Sequence, residues 1–217
     1  MKKISVILLF LTLWGFSARA QFLDSIQASL NRNGNFSLIF NSRHSSISTH
    51  NAYVFALMVG VRFDRKIGMG GGINVLDPPI GDSINTDGKW VHRQLYLTYI
   101  SYYVEYLLRI TKHWELDVFF MPGIGYSYYE STIQGKLVQQ DNGLVIPLEP
   151  SACLEYDFTK WIGFYVQAGY RFMLVNNNAI NERFNSPTYA LGLAIYPLEI
   201  YAALFPHTKL AHTIEDN

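Results

Sequence analysis

Apolar and polar residues alternate with a period of two along most of the chain, a pattern that predicts β-strands. The pattern is clearest between Trp161 and Leu174, where one parity is apolar and the other carries glycine, glutamine and arginine. Apolar residues at helical spacing over residues 22–31 predict one short helix before the strands begin. The alternating segments predict eight strands, over residues 35–43, 52–63, 67–76, 93–109, 114–129, 143–158, 161–174 and 187–196.

The connections between these strands alternate between tight and long. The tight connections are residues 64–66, 110–113 and 159–160, and the long polar connections are residues 42–51, 77–91, 130–142 and 176–186. If consecutive strands are antiparallel, all the tight turns lie at one end and all the long loops at the other. This asymmetry and the even strand number are typical of transmembrane barrels with short periplasmic turns. The predicted fold is therefore an all-β, eight-stranded antiparallel up-and-down transmembrane barrel.

Glycines indicate which face of the predicted strands points inward. Nine glycines lie on the polar parity: Gly60, Gly68, Gly70, Gly72, Gly123, Gly125, Gly163, Gly169 and Gly192. The interior of an eight-stranded barrel is just wide enough for side chains, so small residues must face large ones there. The polar parity is then the interior, and the apolar parity faces lipid. The alternative is a secreted, soluble, lipocalin-like barrel that binds a ligand in an apolar interior.

The glycine-rich stretch "GMGGG" at residues 68–72 also raises the possibility of a phosphate-binding loop. Such loops open a helix, and no helical pattern follows this stretch. We therefore interpret it as part of a strand.

The N-terminus has the features of a secretory signal. Lys2 and Lys3 precede an apolar run over residues 4–16, and an A-x-A site occupies residues 18–20. We expect residues 1–20 to be the signal peptide, 21–34 a short periplasmic segment, 35–200 the barrel and 201–217 a C-terminal tail. Removal of residues 1–20 takes away three basic residues and no acidic one. The mature chain is thus mildly acidic, which argues against a nucleic-acid partner. Cys153 is the only cysteine, so no intrachain disulfide is possible.

Charged residues on the inward parity are the first candidate site. They are Arg62, Glu105, Arg109, Asp117, Glu149, Glu155, Asp157 and Arg171. Unpaired charge is costly in a narrow lumen, and the planar guanidinium of arginine suits paired carboxylates. We expect an ion-pair network that plugs the lumen, with a proton or ion path as the functional alternative.

Aromatic residues near the strand ends are the second candidate group. They are Tyr53, Phe63, Trp114, Tyr126, Tyr128 and Trp161. Such residues form belts at the two membrane–water interfaces of barrels. The alternative is that they belong to the core of a soluble sheet.

The long connections carry the third group, the expected outer contacts with a partner. These residues are Asp82, Asp87, Lys89, Trp90, Glu182 and Arg183. Recognition residues are often on loops that a rigid scaffold holds.

Histidines and serines suggest two further hypotheses, a hydrolase and a metal site. The stretch Ser42–Asn51 contains His44, His50 and several serines, which admits a hydrolase of lipid acyl chains at the barrel rim. No orienting carboxylate lies nearby in sequence. A metal site would require His44, His50 and His92 to converge, and their spacing matches no known ligand pattern. We therefore expect no catalytic residues and no metal ligands.

Taken together, the signal, the eight strands, the tight turns, the long outer connections and the glycine-rich polar face resemble the small OmpA/OmpX-like outer-membrane β-barrel family. The resemblance implies a non-enzymatic monomer in the outer membrane of a Gram-negative cell, without a cofactor. It implies a role in adhesion, envelope integrity or secretion. The expected partners are the outer-membrane lipid bilayer, the barrel-assembly machinery during biogenesis, and an unknown protein or envelope component at the outer loops. Family members often end on an aromatic residue, whereas this chain continues past Tyr196 to Asn217. Either the last strand extends toward Phe205 or a tail lies in the periplasm.

Overall fold

Antiparallel strands, joined in sequence order, make up almost all of the described chain. The computed structural model describes residues 26–32, 34–64, 66–86, 89–133, 136–159, 161–180, 182–195 and 197–205. The strands are β1 (Gly34–Ile47), β2 (His50–Phe63), β3 (Ile67–Leu76), β4 (Ile80–Thr86), β5 (Lys89–Arg109), β6 (Trp114–Ile133), β7 (Lys136–Asp157), β8 (Ile162–Val175) and β9 (Ser186–Ile195). Two short helices flank them, α1 (residues 26–30) and α2 (Pro197–Leu204).

The nine strands form an eight-stranded closed barrel because β3 and β4 are successive parts of one strand. Both pair with β5, and β1 pairs with β9 to close the ring. The break falls at Pro78 and Pro79, which have no N–H group to donate to a ladder. The predicted fold class is confirmed.

Three of the four connections predicted as long loops are instead β-hairpins. β1 continues to Ile47 and β2 begins at His50, and β6 continues to Ile133 before β7 begins at Lys136. The predicted loop 77–91 contains β4 and the first residues of β5. In these stretches the strands extend beyond the part of the wall that has an apolar exterior, so the alternation of apolar and polar residues fades. The hydrogen bonds between the strands continue there because they do not require an apolar face. Only the β8–β9 connection, residues 176–185, lacks strands among its described residues.

The tight turns β5–β6 and β7–β8 share a local mechanism. The hydroxyl of Thr111 accepts hydrogen bonds from the N–H groups of His113 (3.3 Å) and Trp114 (3.2 Å). The hydroxyl of Thr159 accepts equivalent bonds from the N–H groups of Trp161 (3.1 Å) and Ile162 (3.2 Å). The repeated Thr-Lys sequence at the two turns therefore reflects a side-chain cap that fixes each turn.

The two faces of the barrel wall differ as the alternation predicts. On β2, Phe55, Leu57 and Val59 are exposed on the outside, and Val54 and Ala56 are buried inside. The same outward exposure of apolar residues holds on the other strands of the ring. A closed barrel with an apolar exterior matches the bilayer and not water. The exterior therefore contradicts the soluble lipocalin-like alternative. Separately, no helix in the described part of the chain is long and apolar enough to span a membrane.

Glycines of β2 and β3 make room for large side chains in the lumen. Gly60 and Gly70 are direct partners across the ladder, and a Cβ on either would overlap the side chain of Tyr103. A Cβ on Gly68 would overlap the side chain of Glu105. Close approach explains why the "GMGGG" stretch needs its glycines.

The ends of the described chain lie at the end of the barrel that carries the tight turns, which is the periplasmic end in outer-membrane barrels. Within α1, Ser29 is buried and donates a hydrogen bond to Asp64 (3.5 Å), which also pairs with Arg32 (3.2 Å). β9 ends at Ile195, and residues 197–204 are helical. Neither the extension of the last strand toward Phe205 nor a barrel reaching residue 200 is found. The expected signal peptide lies outside the described residues.

The ring closes along a short seam. Among the described residues, β1 and β9 pair at His44–Tyr189 and Ser45–Thr188, whereas β8 and β9 pair over the whole length of β9. Below these two pairs, side chains in the lumen link β1 to β8 across the small residues of β9. The amide of Asn41 donates to Gln167 (2.5 Å), and the hydroxyl of Tyr165 donates to Asn41 (3.5 Å).

Candidate functional site

A charged cluster at mid-height of the lumen is centred on Glu149. Its carboxylate pairs with Arg43 (3.3 Å), accepts a hydrogen bond from Arg171 and accepts another from the Tyr99 hydroxyl (2.7 Å). Arg43 also donates to the side-chain oxygen of Asn74. All five side chains are buried. Five strands, β1, β3, β5, β7 and β8, thus meet through polar groups at one level of the lumen. These contacts fix the heights of the strands relative to one another.

Arg43 was missed by the sequence reading although it is 1% exposed and central to this cluster. The first strand is predicted to end at residue 43, so Arg43 is its last residue and is not assigned to the lumen. The alternation of Ser37, Asn41, Arg43 and Ser45 on the inward face was the available signal.

A second charged cluster lies nearer the periplasmic end. Arg62 donates two hydrogen bonds to Glu105, at 2.6 and 3.2 Å, and its guanidinium lies 3.9 Å from Asp117. The carboxylates of Glu155 and Asp157 converge above Gly163, where a Cβ would lie 2.9 Å from an oxygen of each.

Arg109 does not belong to either cluster. It has the inward parity of β5 but lies exposed at the end of that strand, after the wall of the barrel has ended. Its inclusion in the predicted lumen network was wrong, because parity does not bury a side chain at the rim.

An apolar layer separates the two charged clusters. It contains Met58, Tyr103, Phe119, Met121 and Cys153, all buried. The layer occupies the lumen between the two sets of ion pairs. It leaves Cys153 inside the barrel as a free thiol.

The described residues of the β8–β9 connection, 176–180 and 182–185, close the outer mouth of the lumen. Ile180 and Phe184 are buried in an apolar cluster with side chains of the barrel strands, including Val54 and Leu95. The amide of Asn177 donates to the backbone oxygens of Ser127 (2.8 Å) and Asp141 (2.7 Å). We refer to residues 176–185 as the outer plug.

Glu182 and Arg183, two of the predicted contacts with a partner, lie in the outer plug, where both are hydrogen-bonded to neighbouring segments. Glu182 is half-buried and accepts a hydrogen bond from the Tyr129 hydroxyl (2.6 Å). Arg183 is exposed, but its backbone exchanges two hydrogen bonds with Ser48 at the tip of the β1–β2 hairpin. Both residues therefore hold the outer plug in place.

β4 and the outer parts of β5, β6 and β7 extend beyond the outer plug as a hydrogen-bonded sheet, which we call the outer sheet (residues 80–86, 89–95, 127–133 and 136–145). Trp90 is 73% exposed on this sheet. Asp82 pairs with Arg93 at 2.6 Å, and this hydrogen bond lowers the pKa of Asp82, helped by the N–H group of Ser83. Asp87 and the side chain of Lys89 lie outside the described part of the structure.

Aromatic side chains occur near both ends of the barrel wall. At the periplasmic end, Trp114 and Trp161 are exposed, and the Trp114 ring lies 4.8 Å from the ring of Tyr156. At the outer end Tyr53 and Tyr126 are exposed. The remaining two predicted belt residues, Phe63 and Tyr128, are half-buried.

Two of the histidines considered for catalysis or metal binding, His44 and His92, have different neighbours in the fold. The ring of His44 lies on the outer face between the rings of Tyr53 (4.1 Å) and Tyr189 (4.9 Å), and His92 contacts Ser83 (3.2 Å). Ser45 faces the lumen, where Arg171 donates to it. Within the described ranges, no group of three histidine, cysteine or acidic residues is arranged to hold a metal ion.

Comparison with known proteins identifies the fold. The chain matches no protein-family model and no curated protein sequence. Neisserial surface protein A (NspA) has a similar structure, with a TM-score of 0.53 and 11% sequence identity over 76% of this chain and 99% of that one. Two structures of Ail, the attachment invasion locus protein of Yersinia pestis, are also similar. One is a complex with the heparin analogue sucrose octasulfate (TM-score 0.49, 15% identity, 75% and 98% of the two chains). The other has a TM-score of 0.47 and 13% identity, with the same coverage. The closed ring of strands, its apolar exterior and the match to NspA show that the chain has the fold of the small OmpA/OmpX-like outer-membrane β-barrels.

Proposed function

We propose that the protein is an integral outer-membrane barrel without enzymatic activity, which presents the outer sheet to a protein partner outside the cell. The filled lumen supports a role that does not depend on passage of solutes. Two charged clusters, the apolar layer and the outer plug occupy it in turn. The surface that remains for recognition is the outer sheet.

The observation that carries this proposal is the open edge of β4. In the described structure β4 is the end strand of the sheet, with β5 on one side and no strand on the other. The N–H group of Ser83 donates to the side chain of Asp82 (2.7 Å), so it does not point toward β5. In an antiparallel strand every second residue points both backbone groups to the same side. Gly81 and Asn85 therefore also present their backbone groups at the open edge.

The opposite edge of the outer sheet is less available. Pairing of β7 with β8 begins only at Ile146, so the outer part of β7 has no described strand on the side away from β6. The amide of Asn177 nevertheless binds the backbone oxygen of Asp141 on this outer part. An extended segment of a partner protein is the natural ligand of an open strand edge, because its backbone continues the ladder. We infer that the partner adds a strand to β4. The similar fold of NspA, a surface protein by its name, is compatible with this location.

The test uses a proline at the open edge. In Gly81→Pro the backbone loses an N–H group that points away from β5, so pairing with β5 remains while strand addition is blocked. Gly81→Ala is the matched control, since a Cβ there would lie 3.3 Å from His92 without overlap of the backbone. Cells that display each variant are measured for adherence to immobilised serum and extracellular-matrix proteins and to cultured epithelial cells.

Wild type and Gly81→Ala should adhere, and Gly81→Pro should lose at least tenfold, with equal amounts of folded protein at the surface. Adherence that is absent from wild type, or equal in all three, would overturn the proposal.

A further inference from the structure

The helix α2 carries an apolar stripe that the barrel does not cover. Leu204 is 68% exposed, and Tyr201 and Phe205 are exposed beside it. These residues have the i, i+3 and i+4 spacing of one helix face, and the rings of Tyr201 and Phe205 lie 4.9 Å apart. Glu199 is the only charged residue between positions 197 and 205. An apolar stripe of this kind is unfavourable in water.

The position of α2 in the chain places the helix directly after a strand of the lipid-facing wall. α2 begins two residues after β9 ends at Ile195, at the periplasmic rim. None of the described strands packs extensively against it. The outward residues that precede it on β9, Leu191 and Leu193, are among the most exposed apolar side chains of the barrel, at 71% and 64%. Exposed apolar residues thus continue along the chain from the wall into the helix.

We propose that α2 lies in the headgroup region of the periplasmic leaflet and that lipid is the partner of its apolar stripe. A short apolar helix with a tyrosine beside its leucine and phenylalanine matches that region, where amphipathic rings are favoured and apolar side chains reach the acyl boundary. The helix then anchors the end of β9, the strand that closes the ring through only two pairs with β1. A second copy of the chain or a periplasmic protein would cover the same stripe, and the test separates these occupants.

The experiment places a nitroxide label on the full mature chain, reconstituted as single barrels in lipid nanodiscs. The native thiol is first removed as Cys153→Ser, and single cysteines are then introduced as Leu204→Cys, Leu193→Cys and Lys112→Cys. Leu193 reports the lipid-facing wall, and Lys112 reports an exposed periplasmic turn. Collision of each label with oxygen, which concentrates in lipid, is compared with collision with a water-soluble nickel complex. Heat-modifiable gel mobility verifies that each variant is folded.

The label at Leu204 should have an oxygen-to-nickel ratio several-fold above that at Lys112 and below that at Leu193. A ratio equal to that of Lys112 would place the helix in water and overturn the proposal. Low collision with both reagents would mean that protein covers the stripe, which would also overturn it. A label at Tyr201→Cys provides the repeat on the same face, and both labels must agree for lipid to be the partner.

Discussion

Glu149 shows how a single residue can order a narrow lumen. Its carboxylate is shared by Arg43 on β1 and Arg171 on β8, and Tyr99 on β5 completes its hydrogen bonds. Burial of three charges is costly, and the cost is offset only when each charge keeps its partners. The pairing therefore favours one relative height of the strands, since a slip along a ladder would leave an arginine buried without its carboxylate.

The substitution Glu149→Gln removes this shared charge and keeps the side-chain shape. We expect it to destabilise the barrel by about 3–5 kcal/mol, the range for removal of one partner from a buried ion pair. The measurement is the urea midpoint of the folded, fast-migrating gel band in lipid vesicles. Glu130→Gln, at a half-buried site near the outer end, is the control and should change the midpoint little. Equal midpoints for both variants would show that Glu149 does not organise the lumen.

At the scale of elements, the outer plug behaves as part of the core and not as a loop. Ile180 and Phe184 reach into the apolar cluster at the mouth, and Asn177 and Arg183 tie the segment to two hairpins. Polar residues between these anchors account for its appearance as a free loop in the sequence.

Truncation of the buried ring in Phe184→Ala should release the outer plug. Loss of a buried phenylalanine costs about 3–5 kcal/mol, enough to populate a locally open segment without unfolding the strands. Protease added to intact cells should then cut within residues 176–185, whereas wild type should resist. Leu137→Ala removes an exposed apolar side chain from the outer sheet and is the control. If Phe184→Ala resists as well as wild type, the outer plug is held by its hydrogen bonds and not by its packing.

The elements that the sequence predicts best are those inside the apolar band. There the period of two is enforced by lipid on one side and the lumen on the other, so strands such as residues 52–63 and 161–174 match β2 and β8 closely. The hairpins of the outer sheet were not predicted because no apolar face marks them. The omission of Arg43, the inclusion of Arg109 in the lumen and the prediction of residues 176–186 as a free loop have a related cause. Burial at these positions depends on where the wall ends and on which segment folds over the mouth. The local alternation of apolar and polar residues contains no information about either.

The whole molecule is a filled cylinder, with the outer sheet, the proposed recognition surface, at one end. Polar and apolar layers alternate along its lumen, and the narrow interior of an eight-stranded barrel leaves little space between them. Solute passage would require several layers to move together.

Reconstitution into planar bilayers should therefore give no stable conductance of porin size. The same preparation with the outer plug loosened by Phe184→Ala should also remain closed, because the charged clusters and the apolar layer lie below the plug. Reproducible large steps with wild-type protein would contradict a plugged lumen.

The short seam between β1 and β9 has a kinetic consequence. A ring fails at its weakest ladder, so the barrel should begin to come apart along this line while β9 is still held by β8. Every second amide of residues 190–195 points to the β1 side, and these amides should exchange with deuterium far faster than the amides of residues 163–169, which have a paired strand on both sides. Uniformly slow exchange along β9 in micelles would show that the seam is as tight as the rest of the wall. Fast exchange would mark the order of events when the protein unfolds: the cylinder first opens into a curved sheet, and only then do the strands separate.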